Sequence, residues 1–144
     1  KIFSIPGLRL GYLIAHKDII DKLKRKSIPW NINILAQTIA EKMIEDKTFI
    51  MDTKKYFCKE RDYLYKFLSK NKSVKAFESA ANFIFLKIIN GKYSSTDLKN
   101  KFLDKGLLIR DCSNFRGLDN TYFRIAIKKR NENNLFLKLL NEIL

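Results

Sequence analysis

The first half of the chain repeats apolar residues at every third or fourth position, which is the period of an amphipathic helix. This pattern predicts helices over residues 16–26, from about residues 31–33 to 44, and over residues 49–70. Pro29 separates the first two, since proline disfavours helix in the residue before it, and Asn31 and Asn33 are both good N-cap types. The aromatic residues of the third helix are interpreted as core packing: Tyr56, Phe57, Tyr63 and Phe67.

The second half changes to short apolar runs bounded by turn residues, which is typical of strands. Strands are predicted over residues 74–77, 83–89, 107–110 and 122–127, with helices over residues 96–105 and from about residue 131 onward. Phe83-Ile84-Phe85-Leu86 is continuously apolar, so this strand is expected to be well buried. The order predicts an α/β chain, with helices packed on a small, largely antiparallel sheet in an α+β small domain.

The opening residues carry the first candidate chemistry. Lys1 is followed by the tight-turn pair Pro6-Gly7 and by a strand-like apolar run over residues 8–15. Arg9 stands inside that run, and strand alternation would put it on the same face as Gly11. Because an arginine between leucines is rarely buried without an anion, the pattern predicts an anion-binding arginine eight residues after a lysine.

Two further arginines interrupt predicted strands. Arg110 ends Leu107-Leu108-Ile109-Arg110, and Arg124 lies within Tyr122-Phe123-Arg124-Ile125-Ala126. A guanidinium in this position suggests binding to a carboxylate or phosphate, although Lys87 also interrupts a strand. A structural salt bridge is slightly favoured for either arginine alone. Together with the opening segment, the three arginines favour anion binding.

Composition and charge exclude several classes of protein. The 144 residues are 46% hydrophobic, which indicates a globular chain, and no apolar run is long enough to cross a membrane. The net charge of +14 is spread over both halves, as expected for solvated helix faces, so a nucleic-acid or anion-binding module remains only a distant alternative. Cys58, Cys112 and His16 form no disulfide framework or metal site, and a cytoplasmic protein with reduced thiols is expected.

The opening segment Gly7-Leu8-Arg9-Leu10-Gly11-Tyr12 resembles the cofactor segment of fold-type I pyridoxal-phosphate (PLP) enzymes, the aspartate-aminotransferase superfamily. The resemblance implies that Lys1 forms the Schiff base with PLP and that Arg9 binds the cofactor phosphate. Relatives carry a Ser-x-x stretch before this lysine, so a start at Lys1 is expected to be a truncation. A fragment without the upstream cofactor contacts is expected to be inactive by itself.

A second stretch, from Pro29-Trp30-Asn31 to Leu35-Ala36-Gln37, is similar to the run that follows the cofactor segment in the same superfamily. It normally leads from the large domain into the helices of the small domain. The resemblance therefore implies that residues 1–33 end a large PLP-binding domain and that residues 34–144 form the C-terminal small domain.

The stretch from Arg110-Asp111-Cys112-Ser113-Asn114-Phe115 to Gly117-Leu118-Asp119, with Arg124 beyond it, looks like the C-terminal signature of threonine-phosphate decarboxylases of cobalamin synthesis. These enzymes are close to histidinol-phosphate aminotransferases. The resemblance implies that Arg124 holds the substrate α-carboxylate and that Arg110 helps to bind its phosphate. The expected full-length protein is a cytoplasmic homodimer that decarboxylates L-threonine O-3-phosphate to (R)-1-amino-2-propanol phosphate. A class I/II aminotransferase is the alternative, and no nucleic-acid or membrane partner is expected.

Overall fold

The computed structural model describes residues 2–144, so the predicted cofactor lysine, Lys1, lies outside the described residues. The chain divides into two compact units, of which one ends at Thr53 and the other covers Lys54–Leu144.

The first unit is helical. A short 3₁₀-helix at Pro6–Leu8 precedes helix α1 at Lys17–Lys26 and helix α2 at Ile34–Glu45, and helix α3 at Lys47–Leu68 continues into the second unit. Of the two predicted N-cap residues, Asn33 is the one used, because its side-chain oxygen accepts a hydrogen bond from the Ala36 N–H at 2.8 Å. The three predicted helices are therefore confirmed within a few residues. No helix described within residues 2–144 is both long and apolar enough to cross a membrane.

The strand predicted over residues 8–15 is wrong. Arg9 follows the 3₁₀-helix in the left-handed conformation, with φ +54°, and the chain is irregular from there to His16. A strand needs a neighbour for its backbone hydrogen bonds, and none of the described residues pairs with this segment. The predicted alternation of Arg9 and Gly11 on one strand face does not hold either.

The second unit contains a four-stranded sheet and two further helices. The strands are β1 (Val74–Ala76), β2 (Phe83–Ile88), β3 (Arg110–Asp111) and β4 (Tyr122–Ala126), and the helices are α4 (Ser95–Asp104) and α5 (Arg130–Ile143). Neighbouring strands are antiparallel in the order β1-β2-β4-β3. The predicted fold of helices on a small antiparallel sheet is confirmed. The predicted strand over residues 107–110 is wrong for most of its length, since only Arg110–Asp111 pairs with β4.

One face of the sheet forms the core together with α3, α4 and α5. Ile84 and Leu86 of β2 and Phe123 of β4 are fully buried there. Phe83 and Phe85 alternate onto the opposite face and are half-buried, so the prediction of a continuously buried strand is wrong for these two residues. The main core residues of α3 are Leu64 and Leu68, and Phe57 and Tyr63 pack at the edge of the core. Core packing is a wrong interpretation for Tyr56 and Phe67, which are exposed.

An ion pair between the buried Glu60 and the partly exposed Arg130 joins α3 to α5. Glu60 is only 3% exposed, and its carboxylate accepts hydrogen bonds from Arg130 Nη2 at 2.8 Å and Nε at 2.9 Å. Asn133 Nδ2 donates to the same carboxylate at 2.9 Å, and the Arg130 guanidinium lies 3.5 Å from the Tyr63 ring centroid. The hydrogen bond from Arg130 lowers the pKa of Glu60 although burial opposes it, so the carboxylate stays charged. Nothing in the sequence pattern predicted this pair.

Candidate active site

Arg110 and Arg124 occupy directly opposite positions on β3 and β4. Both side chains belong to the sheet face that is turned away from the core, because Phe123 and Ile125 of β4 point into the core and alternate with Arg124. Arg110 is exposed and Arg124 is half-buried. None of the ion pairs formed within residues 2–144 includes either guanidinium. Two predicted site residues are thus brought together, with two positive charges that no carboxylate of the described chain neutralises.

Asp111, the residue after Arg110, is hydrogen-bonded on the other side of the sheet. The Asp111 carboxylate accepts hydrogen bonds from Ser95 Oγ at 2.8 Å, Thr96 Oγ1 at 2.7 Å and the Ser113 N–H at 2.8 Å. Burial alone would raise the pKa of Asp111, but these hydrogen bonds outweigh it and hold the pKa well below its usual range. Asp111 therefore anchors the start of the β3–β4 loop to α4 and leaves the Arg110 charge available.

Phe115, in the loop between β3 and β4, contacts both arginines. The guanidinium carbon of Arg110 lies 5.4 Å from the Phe115 ring centroid, and that of Arg124 lies 5.9 Å from it. Arg124 also lies 5.1 Å from the Phe83 ring centroid, and Arg110 Nη2 donates a hydrogen bond to Asn114 Oδ1 at 3.3 Å. Sequence reasoning missed the roles of Phe83, Asn114 and Phe115. The only signal was that Asn114 and Phe115 lie within the motif that begins at Arg110.

Backbone hydrogen bonds give this loop a defined shape. The Phe115 N–H donates to the Cys112 carbonyl at 3.0 Å, and the Leu118 N–H donates to the Phe115 carbonyl at 3.0 Å. Gly117 takes φ +84°, which few other residues adopt without strain. Cys112 is fully buried beneath the loop, and burial raises the pKa of its thiol. The backbone that carries Phe115 is therefore held by two turns.

Aromatic rings and a third cation continue along the same sheet face. Phe85 stacks on Tyr122 with centroids 5.4 Å apart and contacts Phe77 at 5.3 Å. Lys87 Nζ lies 5.0 Å from the Tyr122 ring centroid, which explains how a lysine is accommodated in an otherwise apolar strand. The face that carries the two arginines is therefore aromatic and positively charged.

Arg9 belongs to the first unit and lines a shallow concave surface. Its guanidinium is exposed, and Nη1 donates a hydrogen bond to the Pro6 carbonyl at 3.3 Å. None of the ion pairs in the described part of the chain involves Arg9. A Cβ atom built on Gly11 would meet no other group within 4 Å, so there is open space above the backbone here. The surface is lined by Ser4, Ile5, Pro6, Arg9, Leu10 and Gly11.

A family comparison identifies the chain. The family model described as aminotransferase class I and II matches residues 1–139. The chain belongs to this family. Enzymes of the class I/II family depend on pyridoxal phosphate.

Individual class I/II relatives carry two different names. A protein of Caldanaerobacter subterraneus subsp. tengcongensis, provisionally named threonine-phosphate decarboxylase, is 37% identical over 97% of this chain. The histidinol-phosphate aminotransferase structure from Clostridium acetobutylicum matches 99% of the chain with a TM-score of 0.94 and 34% identity. The L-threonine-O-3-phosphate decarboxylase structure from Porphyromonas gingivalis matches 99% with a TM-score of 0.87 and 33% identity.

The match covers only part of each class I/II relative. The chain spans 38% of the length of the Caldanaerobacter protein and 43% of each of the two solved chains. It therefore carries the fold of one portion of a class I/II enzyme.

The described part of the cofactor segment fits the phosphate group of pyridoxal phosphate. Arg9 offers an exposed guanidinium that no described carboxylate neutralises, and the open space above Gly11 leaves room for a bulky anion beside it. Arg9 is the described residue that would hold the phosphate, and Lys1 is the residue predicted to bond to the cofactor.

Proposed function

We propose that the full-length protein containing this chain, called the parent protein below, is a pyridoxal-phosphate enzyme that acts on a phosphorylated amino acid. L-Threonine O-3-phosphate decarboxylase is the specific activity proposed. The observation that carries the proposal is the direct opposition of Arg110 and Arg124 on one sheet face, with no acidic partner among the described residues. Like charges at opposite positions destabilise a sheet. A ligand with two anionic groups would neutralise both arginines and so explain why they stand at these positions.

A phosphorylated amino acid matches this charge arrangement. It carries an α-carboxylate with one negative charge and a phosphate with about −1.5 to −2 charges at neutral pH. A guanidinium can donate two parallel hydrogen bonds to either group. We assign the carboxylate to Arg124 and the phosphate to Arg110.

The chemistry divides between cofactor and protein. When bound, pyridoxal phosphate withdraws the electron pair that is left at Cα after a bond to that carbon breaks. The protein decides which bond that is, because Arg124 would fix the direction of the carboxylate and Arg110 would fix the other end of the substrate. Arg9 would hold the cofactor phosphate, and Lys1 would hold the cofactor and move the proton at Cα.

Histidinol-phosphate aminotransferase is the second candidate. It is favoured by the similarity to the Clostridium acetobutylicum structure, whose substrate by name also carries a phosphate. Histidinol phosphate has no carboxylate, so in this candidate both arginines would bind its single phosphate group.

The proposal includes the organisation of the parent protein. Residues 1–33 would end its large domain, and residues 34–144 would form its small domain. A cytoplasmic homodimer that functions in cobalamin synthesis follows from the decarboxylase assignment.

Product analysis tests the proposal. The parent protein is incubated with pyridoxal phosphate and O-phospho-L-threonine, and the products are identified by mass spectrometry. Carbon dioxide with aminopropanol phosphate is expected for the decarboxylase. A keto acid that forms only with an amino-group partner would move the assignment to an aminotransferase. Absence of both products, and of borohydride-trapped cofactor on Lys1, would overturn the proposal.

A further inference from the structure

We infer that Phe115 is a positioning residue that sets the spacing and direction of the Arg110 and Arg124 guanidinium groups. The inference rests on the proposed function, because it assigns the two arginines to one anionic substrate. It starts from the observation that a single aromatic ring lies within 5.9 Å of both guanidinium carbons.

The first step concerns the repulsion between the two arginines. Residues directly opposite each other on antiparallel strands have neighbouring side chains, and like charges there repel. Without another constraint, two flexible arginine side chains would turn away from each other into solvent. The two groups would then be separated before a substrate arrives.

The second step concerns the ring. The face of a phenylalanine ring carries negative partial charge and attracts a cation whose centre lies within about 6 Å of the centroid. Phe115 meets this criterion for both arginines at 5.4 Å and 5.9 Å. One ring therefore offsets part of the repulsion and keeps the two guanidiniums close to each other.

The third step concerns the support of the ring itself. Phe115 lies between backbone hydrogen bonds to the Cys112 carbonyl and from the Leu118 N–H, and Asp111 ties the loop to α4. Asn114, the preceding residue, accepts a hydrogen bond from Arg110. The loop backbone therefore places the Phe115 ring, which is 38% exposed, and the Asn114 amide oxygen beside the arginines.

The test compares three forms of position 115 in the parent protein loaded with pyridoxal phosphate. Phe115→Leu removes the ring, Phe115→Tyr keeps its negative face, and pentafluorophenylalanine keeps its shape while withdrawing electrons from that face. Phe77→Leu is the matched control, because Phe77 packs on Phe85 of the same face and contacts neither arginine. The readouts are KM and kcat for O-phospho-L-threonine and the inhibition constant of inorganic phosphate.

We expect Phe115→Leu and the fluorinated form to raise KM and the phosphate inhibition constant about tenfold. The expected change in kcat is smaller than the change in KM. Phe115→Tyr should stay within about twofold of the wild type for both constants, and Phe77→Leu should leave both unchanged. The fluorinated form keeps an aromatic ring of similar shape at a partly exposed position, so the test stands even if Phe115→Leu fails to fold.

The outcomes separate this inference from the proposed function. If Arg110→Gln and Arg124→Gln weaken substrate binding while the fluorinated and leucine forms do not, the positioning role of Phe115 is overturned and the proposed function stands. If leucine weakens binding but the fluorinated form does not, the ring acts by packing alone, and the inference is again overturned. If neither arginine variant changes binding, the proposed function fails.

Discussion

Arg110 and Arg124 stand opposite each other on β3 and β4, and the described chain supplies no carboxylate to either. Substituting an arginine with a structural role would remove an ion pair and lower the stability of the fold. Substituting an arginine that binds only a ligand would not remove an ion pair from the protein. We expect Arg110→Gln to change the free energy of unfolding by less than about 1 kcal/mol, because relief of repulsion offsets loss of the contact with Phe115. Substrate KM should rise at least about tenfold, since a charge-assisted hydrogen bond is lost.

The measurements for Arg110→Gln are chemical denaturation and steady-state kinetics of the parent protein. Arg61→Gln is the control, since Arg61 lies on α3 with Nε 3.5 Å from Asp62 and belongs to neither candidate site. A loss of stability above about 2 kcal/mol with unchanged KM would instead indicate a structural salt bridge.

Arg9 offers a test of the cofactor segment that separates charge from backbone conformation. Arg9 adopts φ +54°, so Arg9→Gly relieves backbone strain while it removes the guanidinium. We expect Arg9→Gly and Arg9→Gln to weaken pyridoxal-phosphate binding by about 10- to 100-fold, because a charged hydrogen bond contributes about 1.5–3 kcal/mol. Cofactor absorbance after dialysis measures the retained fraction.

The control for Arg9 is Arg25→Gln. Arg25 is exposed on α1 and donates to the Asp21 carbonyl, so its removal should leave cofactor retention unchanged. Full retention of cofactor in both Arg9 variants would contradict the assigned role.

The Glu60–Arg130 pair predicts an asymmetric response to substitution. Glu60 is 3% exposed whereas the Arg130 side chain is 41% exposed. An unpaired Glu60 would therefore lower the free energy of unfolding more than an unpaired Arg130 would. We expect Arg130→Met to destabilise the fold by about 3 kcal/mol and Glu60→Leu by less. In the double variant Glu60→Leu with Arg130→Met, most of this loss should be recovered, because no charge is left buried.

Denaturant unfolding of the single and double variants completes this cycle. Lys138→Met, which breaks the exposed 3.8 Å pair with Glu142 on the same helix, should change stability by less than about 1 kcal/mol. Strictly additive effects at Glu60 and Arg130 would show that the pair does not couple α3 to α5.

Asp111 predicts a pH-dependent contribution to stability. Its pKa is lowered in the folded state, so its carboxylate stabilises the fold at pH values above the unfolded pKa of about 3.9, and this contribution is lost as the pH falls toward the folded pKa. We expect Asp111→Asn to cost about 1–3 kcal/mol near pH 7. The difference from the wild type should shrink below about pH 4.

Unfolding curves of the wild type and Asp111→Asn from pH 7 to pH 3.5 test whether the difference in stability shrinks as the pH falls. A difference that grows on acidification would contradict the assigned hydrogen-bonded carboxylate. Asp104→Asn on α4 is the control, since Asp104 is exposed and makes no ion pair in the described chain.

The helices could be predicted closely because their signals are local. Apolar residues three and four positions apart mark α1 to α5. The cap residues Asn33 and Ser94 each accept a hydrogen bond from an N–H group only three residues away. The prediction of the strands was less accurate. β3 is only two residues long and depends on β4 for its hydrogen bonds, so no local pattern could give its bounds.

The sequence by itself determined the amphipathic helices, the approximate positions of most strands and the three arginines that interrupt apolar runs, because each depends on neighbouring residues. Only the tertiary structure decided that Arg9 follows a 3₁₀-helix instead of lying in a strand. It also decided that Arg110 faces Arg124, and that Phe115 reaches both. These relationships depend on strand register and loop path, which are set by the packing of distant residues, and a one-residue slip would move Arg110 to the opposite face.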